Sequence, residues 1–260
     1  PNNPWETSGG EIGPGVLLPG GKTIFFGASG LTDIYTPGPA GSTTPGTWAA
    51  GPNLPAGVVP DDASAVELPD GNVLISGDAG SFNGPTTIAE YNPTTNSFSV
   101  ISSPSDPGAA YTDRMLMLPN GQALFTAGGS AAWVYSETGT IPASSRPTVS
   151  SIHQNADGSF LLTGTRLNGV SEGAAYGDDD RPSSNYPLVQ LVSSSGTVYY
   201  ARTYNWTSTG VQTGTTAVST NFVLPSNLPN GTYTLYAIAN GIPSTGVTFR
   251  VPFRGGGATP

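Results

Sequence analysis

The amino-acid sequence predicts an all-β protein in which about three four-stranded blades precede a two-sheet sandwich. The apolar runs are rich in Val, Thr, Tyr, Phe and Ile, which favour strands, and Gly, Pro, Asn and Ser interrupt them. A turn motif recurs at a constant spacing in the first half of the chain, and short strands without that motif fill the second half. A length of 260 residues also fits two domains.

The recurring motif is a Leu-Pro-x-Gly turn between two strands. Its copies begin at Leu18, Leu68 and Leu118, fifty residues apart. Pro presets φ at the first turn position, and Gly accepts the positive φ that follows. A strand with a tyrosine comes next, and Trp48 and Phe98 then match in the first two copies. Four strands in about fifty residues indicate a kelch-type β-propeller blade. The alternative is an unrelated sandwich with repeated Pro-x-Gly turns.

The repeat sets the predicted domain boundaries. We expect residues 1–142 to form blades, residues 143–253 to form the sandwich, and the Gly-rich residues 254–260 to be a flexible tail. A closed propeller needs about four to eight blades. We therefore expect the chain to be the C-terminal part of a longer protein, or several copies to supply the missing blades.

The second half contains about seven short strands in roughly a hundred residues, which is typical of an immunoglobulin-like β-sandwich. In the strand 232–239 the pattern alternates, which places Tyr233, Leu235 and Ala237 on one face. The predicted strands are Val149–Ile152, Ser159–Thr163, Leu188–Val192, Thr197–Thr203, Ala217–Val223, Thr232–Ala239 and Val247–Val251.

Both halves resemble one family. The blade pattern over about residues 13–142 resembles the kelch propellers of galactose oxidase and glyoxal oxidase relatives. Residues 147–252 resemble the early-set sandwich that follows those propellers, through segments 164–169, 176–180, 184–189 and 240–244. The chain is most similar to bacterial members without an assigned activity.

The resemblance implies an oxidase architecture, but the copper ligands of that family are missing. Its oxidases hold copper with two histidines and two tyrosines, one of which is cross-linked to cysteine. This chain has no Cys and one histidine, His153, which we interpret as a surface residue. Tyr204, Asn205 and Trp206 stand where related sequences place histidines. Because a copper site needs imidazole nitrogens, we expect no copper radical chemistry, no enzyme activity and no cofactor.

Acidic residues supply the other candidate sites. Asp178, Asp179 and Asp180 are weak calcium candidates, because calcium prefers clustered oxygen ligands; the alternative is a solvated loop. Asp61 and Asp113 lie just before the first strands of their blades, where we expect a blade edge. Asp113 and Arg114 are interpreted as a structural pair. We find no nucleophile elbow or phosphate-binding loop in its required context.

Charge and hydropathy exclude several classes of partner. Only 10% of residues are charged and the net charge is −9, which argues against nucleic acid. No apolar run approaches the roughly 18 residues of a membrane span. The uncharged polar surface is typical of a secreted or cell-surface protein.

The sequence thus favours a non-catalytic extracellular structural or interaction protein, one component of a larger assembly or filament. Its partners would be proteins or further copies of itself, for example by strand addition at a sheet edge. The first alternative is carbohydrate binding through Tyr204, Asn205 and Trp206. The second is a copper oxidase relative, which the missing ligands disfavour. Asn205 and Asn230 begin N-glycosylation sequons, although Asn230 also suits a turn.

Overall fold

The structure is a computed structural model that describes residues 12–173 and 185–252, apart from the side chains of Ser102, Ser103 and Ser105. The fold is all-β, with two short 3₁₀ helices at Ala110–Thr112 and Ala143–Ser145. The chain divides into two compact units. Among the described residues, the first comprises residues 12–140 and 171–173, and the second comprises residues 141–170 and 185–252. No sequence pattern indicated that residues 171–173 group with the first unit.

The first unit contains three antiparallel sheets whose strands follow one another along the chain. The first blade contains β1 (Gly15–Leu17), β2 (Thr23–Phe26), β3 (Thr32–Thr36) and β4 (Thr47–Ala50). The second contains β5 (Ala65–Glu67), β6 (Val73–Gly80), β7 (Asn83–Asn92) and β8 (Ser97–Asp106). The third contains β9 (Arg114–Met117), β10 (Ala123–Thr126) and β11 (Ala132–Tyr135). These sheets confirm a partial propeller.

The third blade differs from the prediction, because it has three strands rather than four among the described residues. In the other blades the fourth strand carries an aromatic residue that pairs with the preceding tyrosine, as Tyr35 does with Trp48 and Tyr91 with Phe98. The residues that directly follow Tyr135 are Ser-Glu-Thr-Gly-Thr. No strand follows in this stretch, and the chain instead enters the 3₁₀ helix at Ala143–Ser145.

The Leu-Pro-x-Gly motif forms the same turn in every blade. The N–H of Gly21 donates to the Leu18 carbonyl over 2.9 Å, and Gly71 and Gly121 repeat this bond at 2.9 and 3.0 Å. The three glycines have φ values of 80°, 93° and 83°, which a side chain would disfavour. The sequence prediction of a shared turn is therefore confirmed.

The blades pack face to face, and the second blade is buried on both faces. One face joins the first blade through Val73, Ile75 and Tyr91, and the other joins the third blade through Leu74 and Ile88. Successive residues of β6 point to opposite faces of the sheet. The unbroken apolar run in β6 therefore reflects a strand with a neighbouring blade on each side.

The second unit is an immunoglobulin-like sandwich of two antiparallel sheets. One sheet has the order β12 (Thr148–Gln154), β13 (Phe160–Thr165), β17 (Ala217–Phe222) and β16 (Thr203–Tyr204). The other has the order β15 (Val198–Ala201), β14 (Leu188–Ser193), β18 (Gly231–Ala239) and β19 (Ile242–Pro243), and β20 (Val247–Val251) also pairs with β18. Tyr233, Leu235 and Ala237 are buried, as their alternation predicts.

The sandwich core is centred on stacked aromatic rings. Phe160 lies 5.2 Å from Phe222 and 5.3 Å from Phe249, measured between ring centroids, and all three side chains are buried. Burial of each ring stabilises the fold by roughly 1.5–3 kcal/mol relative to exposure. This core is built from both sheets and holds the strands that shape the site described next.

Candidate functional site

The predicted strand Thr197–Thr203 is two strands, and the chain changes sheets between them. Val189 pairs with Ala201 in one sheet, whereas Phe222 pairs with Thr203 in the other. Arg202 lies at the crossing between the two strands. An open groove of about 830 Å³ lies at this corner of the sandwich.

Aromatic side chains dominate the groove. Tyr186, Tyr200, Tyr204 and Trp206 all line it. The exposed fractions of Tyr186, Tyr200 and Trp206 are 39%, 43% and 39%. Part of the Trp206 side chain is therefore exposed in the groove. Its ring centroid lies 5.6 Å from that of Tyr186, and the ring planes are tilted by 31°.

One buried hydroxyl group connects the chain segments that carry the two rings. Thr203 accepts a hydrogen bond from Nε1 of Trp206 over 2.9 Å, and its Oγ1 donates to the carbonyl of Pro187. Pro187 directly follows Tyr186, so Thr203 links the chain segments of both rings. Because the indole N–H is already bonded inside the protein, the exposed part of the Trp206 ring offers an apolar surface.

Backbone geometry sets the direction of Trp206. Asn205 has a φ of 52°, a left-handed conformation that Asn tolerates better than most residues. On the far side, the N–H of Thr207 donates to the Ser219 carbonyl over 3.0 Å, and Ser219 N–H donates to Oγ1 of Thr207 over 2.8 Å. Trp206 therefore lies in a short turn that is anchored at both ends.

Arg202 supplies the only charge among the described residues that line the groove. Its side chain is exposed, and it forms no hydrogen bond or ion pair in the described part of the chain. Tyr200, on the adjacent strand, accepts a hydrogen bond from Nε2 of Gln190 over 2.9 Å. The groove thus combines rigid aromatic walls with one uncompensated cation.

Of the remaining sequence candidates, His153 and Asn230 do not line the groove. Asp178, Asp179 and Asp180 lie outside the described residues. His153 is exposed on β12, opposite Leu161. Asn205 and Asn230 are both exposed. Among residues 12–173 and 185–252, no three His, Cys, Asp or Glu side chains are placed to hold one metal ion.

The first unit contains a group of buried carboxylates whose burial could not be predicted from the sequence. Asp61, Asp78 and Asp113 are fully buried, although the sequence suggested a blade edge for the first and third. One oxygen of Asp78 accepts the Ala110 N–H over 2.6 Å, but both oxygens of Asp61 and of Asp113 lack a hydrogen-bond partner. Arg114 pairs with Asp113 through the backbone rather than the carboxylate, because its Nη1 donates to the carbonyls of Tyr111 and Asp113.

Burial shifts the titration of these groups. It raises the pKa of Asp113 to about 8, and the nearby carboxylates of Asp106 and Asp78 add to the rise. Burial also raises the pKa values of Asp61 and Asp78, and the Ala110 N–H opposes the rise at Asp78. Glu67 is fully buried with no hydrogen bond to either carboxylate oxygen, and its pKa is raised well above the usual value. The sequence could not predict these raised pKa values, because the burial of the carboxylates depends on the packing of neighbouring blades.

Comparisons with known proteins add little beyond the fold. No family model and no curated protein matches the chain. Among solved structures, the chain is similar to a fungal alcohol oxidase of the AA5 family in complex with copper, with 15% sequence identity and a TM-score of 0.41. The alignment covers 95% of this chain and 55% of that chain, so this chain spans about half the length of the oxidase. In the described part of the chain, no helix is long and apolar enough to span a membrane.

Proposed function

We propose that this chain is a non-catalytic, extracellular interaction protein whose sandwich binds a glycan in the aromatic groove. The observation that carries the proposal is the exposed Tyr186–Trp206 ring pair beside Tyr200. A sugar ring has apolar C–H faces and a polar rim of hydroxyl groups. The Trp206 ring offers a matching rigid apolar face, and the tyrosines add a polar hydroxyl edge, at a small cost in side-chain entropy.

The form of the groove also suits a polymer rather than a small enclosed ligand. The groove is open and large, about 830 Å³, and its aromatic walls come from strands β15 and β16 and from the loops that carry Tyr186 and Trp206. Asn205 is exposed in the groove and supplies an amide for sugar hydroxyl groups. The absence of Cys and the presence of a single His in the sequence support a binding role over copper oxidation.

Affinity electrophoresis through gels that contain individual polysaccharides tests the proposal. We expect at least one polysaccharide to retard the whole chain, and Trp206→Ala to weaken the retardation about tenfold, since aromatic anchors dominate such sites. Tyr111→Ala is the matched control, because Tyr111 is 45% exposed but lies in the first unit. The proposal fails if no polysaccharide in a broad panel retards the wild type, or if both variants behave alike.

A role within a larger assembly is the second candidate, and the edge of the third blade favours it. Strand β11 has no outer neighbour among the described residues, and Val134 on this strand is 55% exposed. Unpaired strand edges with apolar side chains are templates for pairing with another chain. Light scattering on the purified chain across a concentration range tests this role. A monomer at all concentrations would contradict it.

A further inference from the structure

We infer that the groove selects acidic glycans, with the Arg202 guanidinium binding the carboxylate of a uronic acid unit. This inference rests on the proposed function and specifies its ligand. The groove has one charged lining residue, and that residue is a cation without a partner in the described part of the chain.

The arginines among the described residues differ in whether they donate hydrogen bonds to backbone carbonyls. Arg114, Arg146 and Arg166 each donate to backbone carbonyls, at distances of 2.7–3.1 Å. Arg202 and Arg250 have no such bond. Of these two, Arg202 lies in the groove between aromatic side chains and Arg250 does not. The chain has 17 acidic and eight basic residues, so an arginine without an acidic neighbour is not the expected arrangement.

The backbone of Arg202 is fixed on both sides. Ala201 pairs with Val189, and Thr203 pairs with Phe222 in the opposite sheet. Sheet pairing of both neighbours limits the loss of backbone entropy when a ligand binds. The guanidinium is planar and presents paired N–H donors that match the two oxygens of a carboxylate. Trp206 lies four residues further along the same groove and can stack on the sugar that carries the carboxylate.

Other anions fit this groove less well. The net charge of −9 opposes nucleic acid, whose binding needs several cations along the backbone. An acidic peptide could bind the guanidinium through a carboxylate. It would not present the series of flat apolar ring faces that can stack on the aromatic side chains of the groove. A uronic acid polymer satisfies both features, because each unit carries a carboxylate and an apolar ring face.

The experiment compares acidic and neutral polysaccharides, and polygalacturonate with its methyl ester isolates the effect of the carboxylate. Binding of polygalacturonate, alginate, fully methyl-esterified polygalacturonan and neutral dextran is measured by calorimetry and affinity electrophoresis on the whole chain. We expect polygalacturonate or alginate to bind, and esterification or Arg202→Gln to weaken that binding about 10- to 100-fold, the range for losing a hydrogen bond to a charged group. Added salt should weaken binding of the acidic polymers.

The control variant is Arg250→Gln, which removes the same charge from the same unit outside the groove. Arg202→Lys keeps the charge but removes the paired N–H donors of the guanidinium, so its affinity should fall between those of the wild type and Arg202→Gln. If the esterified polymer or dextran binds as tightly as the acidic polymers, or if Arg250→Gln weakens binding as much as Arg202→Gln, the inference is overturned while glycan binding stands. If no polymer binds, both the inference and the proposed function fall.

Discussion

Nε1 of Trp206 donates a hydrogen bond to Oγ1 of Thr203 over 2.9 Å, and the same hydroxyl donates to the Pro187 carbonyl. Thr203 is itself buried between the two sheets. One side chain therefore couples the position of Trp206 to the segment that carries Tyr186. Thr203 is a positioning residue, which makes a test of the groove possible without touching its exposed surface.

Thr203→Val should loosen the groove. The substitution keeps the shape but leaves the indole N–H and the Pro187 carbonyl without this partner, at a cost of about 1–3 kcal/mol in the free energy of unfolding. Glycan affinity should fall with it, because the ring pair is no longer held. Urea unfolding and affinity electrophoresis measure the two effects. Thr203→Ser keeps the hydroxyl and serves as control; equal loss of affinity in both variants would show that the hydrogen bonds do not position the rings.

The first unit should lose stability as the pH rises from about 4 to 8. The pKa of Asp113 is raised from its model-peptide value of 3.8 to about 8 by burial. In this window the folded protein keeps a proton that the unfolded chain has released, so the free energy of unfolding falls by about 1.4 kcal/mol per pH unit for one such group. The raised pKa values of Asp61 and Asp78 act in the same direction.

Asp113→Asn should reduce this dependence. The amide cannot ionise, so its contribution to the slope between pH 4 and 8 disappears. Urea unfolding at several pH values measures the slope. Asp157→Asn is the control, because Asp157 is exposed and its pKa is lowered by hydrogen bonds from Ser159. An unchanged slope in Asp113→Asn would contradict the assignment of a buried proton to this group.

Tyr135→Phe should weaken the junction of the second and third blades. The Tyr135 hydroxyl donates to one oxygen of Glu90, and Nδ2 of Asn72 donates to the other over 2.6 Å. Loss of a hydrogen bond to a carboxylate costs about 1.5–3 kcal/mol. Tyr35 occupies the matching place in the first blade, and its hydroxyl has no hydrogen bond in the described residues. Tyr35→Phe should therefore leave the urea midpoint nearly unchanged, and equal effects of the two variants would refute the role of this bond.

Two glycines of strand β6 should respond differently to alanine. A Cβ at Gly77 would lie 2.7 Å from Cγ1 of Val58 and 2.9 Å from the backbone nitrogen of Val59, whereas a Cβ at Gly80 would meet nothing within 4 Å. Overpacking against backbone costs typically 1–3 kcal/mol. We expect that loss for Gly77→Ala and a change within about 0.5 kcal/mol for Gly80→Ala. Urea midpoints that shift equally would contradict the close approach of the two segments.

Local patterns determined much of the fold. The Leu-Pro-x-Gly motif specifies its turn through the φ of Pro and the freedom of Gly, and both act within a few residues. The strands around Tyr233 and Phe160 were likewise predictable, because alternation of apolar residues reflects a sheet with one buried face. The repeat interval then identified blades, since each copy has the same strand order.

Tertiary structure alone decided the site and its electrostatics. The sequence pattern predicts one continuous strand after Thr197. In the structure the first part pairs with β14 and the second part pairs with β17 in the other sheet, so the strand is divided at Arg202. Tyr186 and Trp206 are twenty residues apart and meet only because the two sheets pack together. Asp113 is buried by neighbouring blades, so its raised pKa could not be predicted from its own segment. Long-range packing likewise places Arg202 in an aromatic groove, where it has no acidic partner among the described residues.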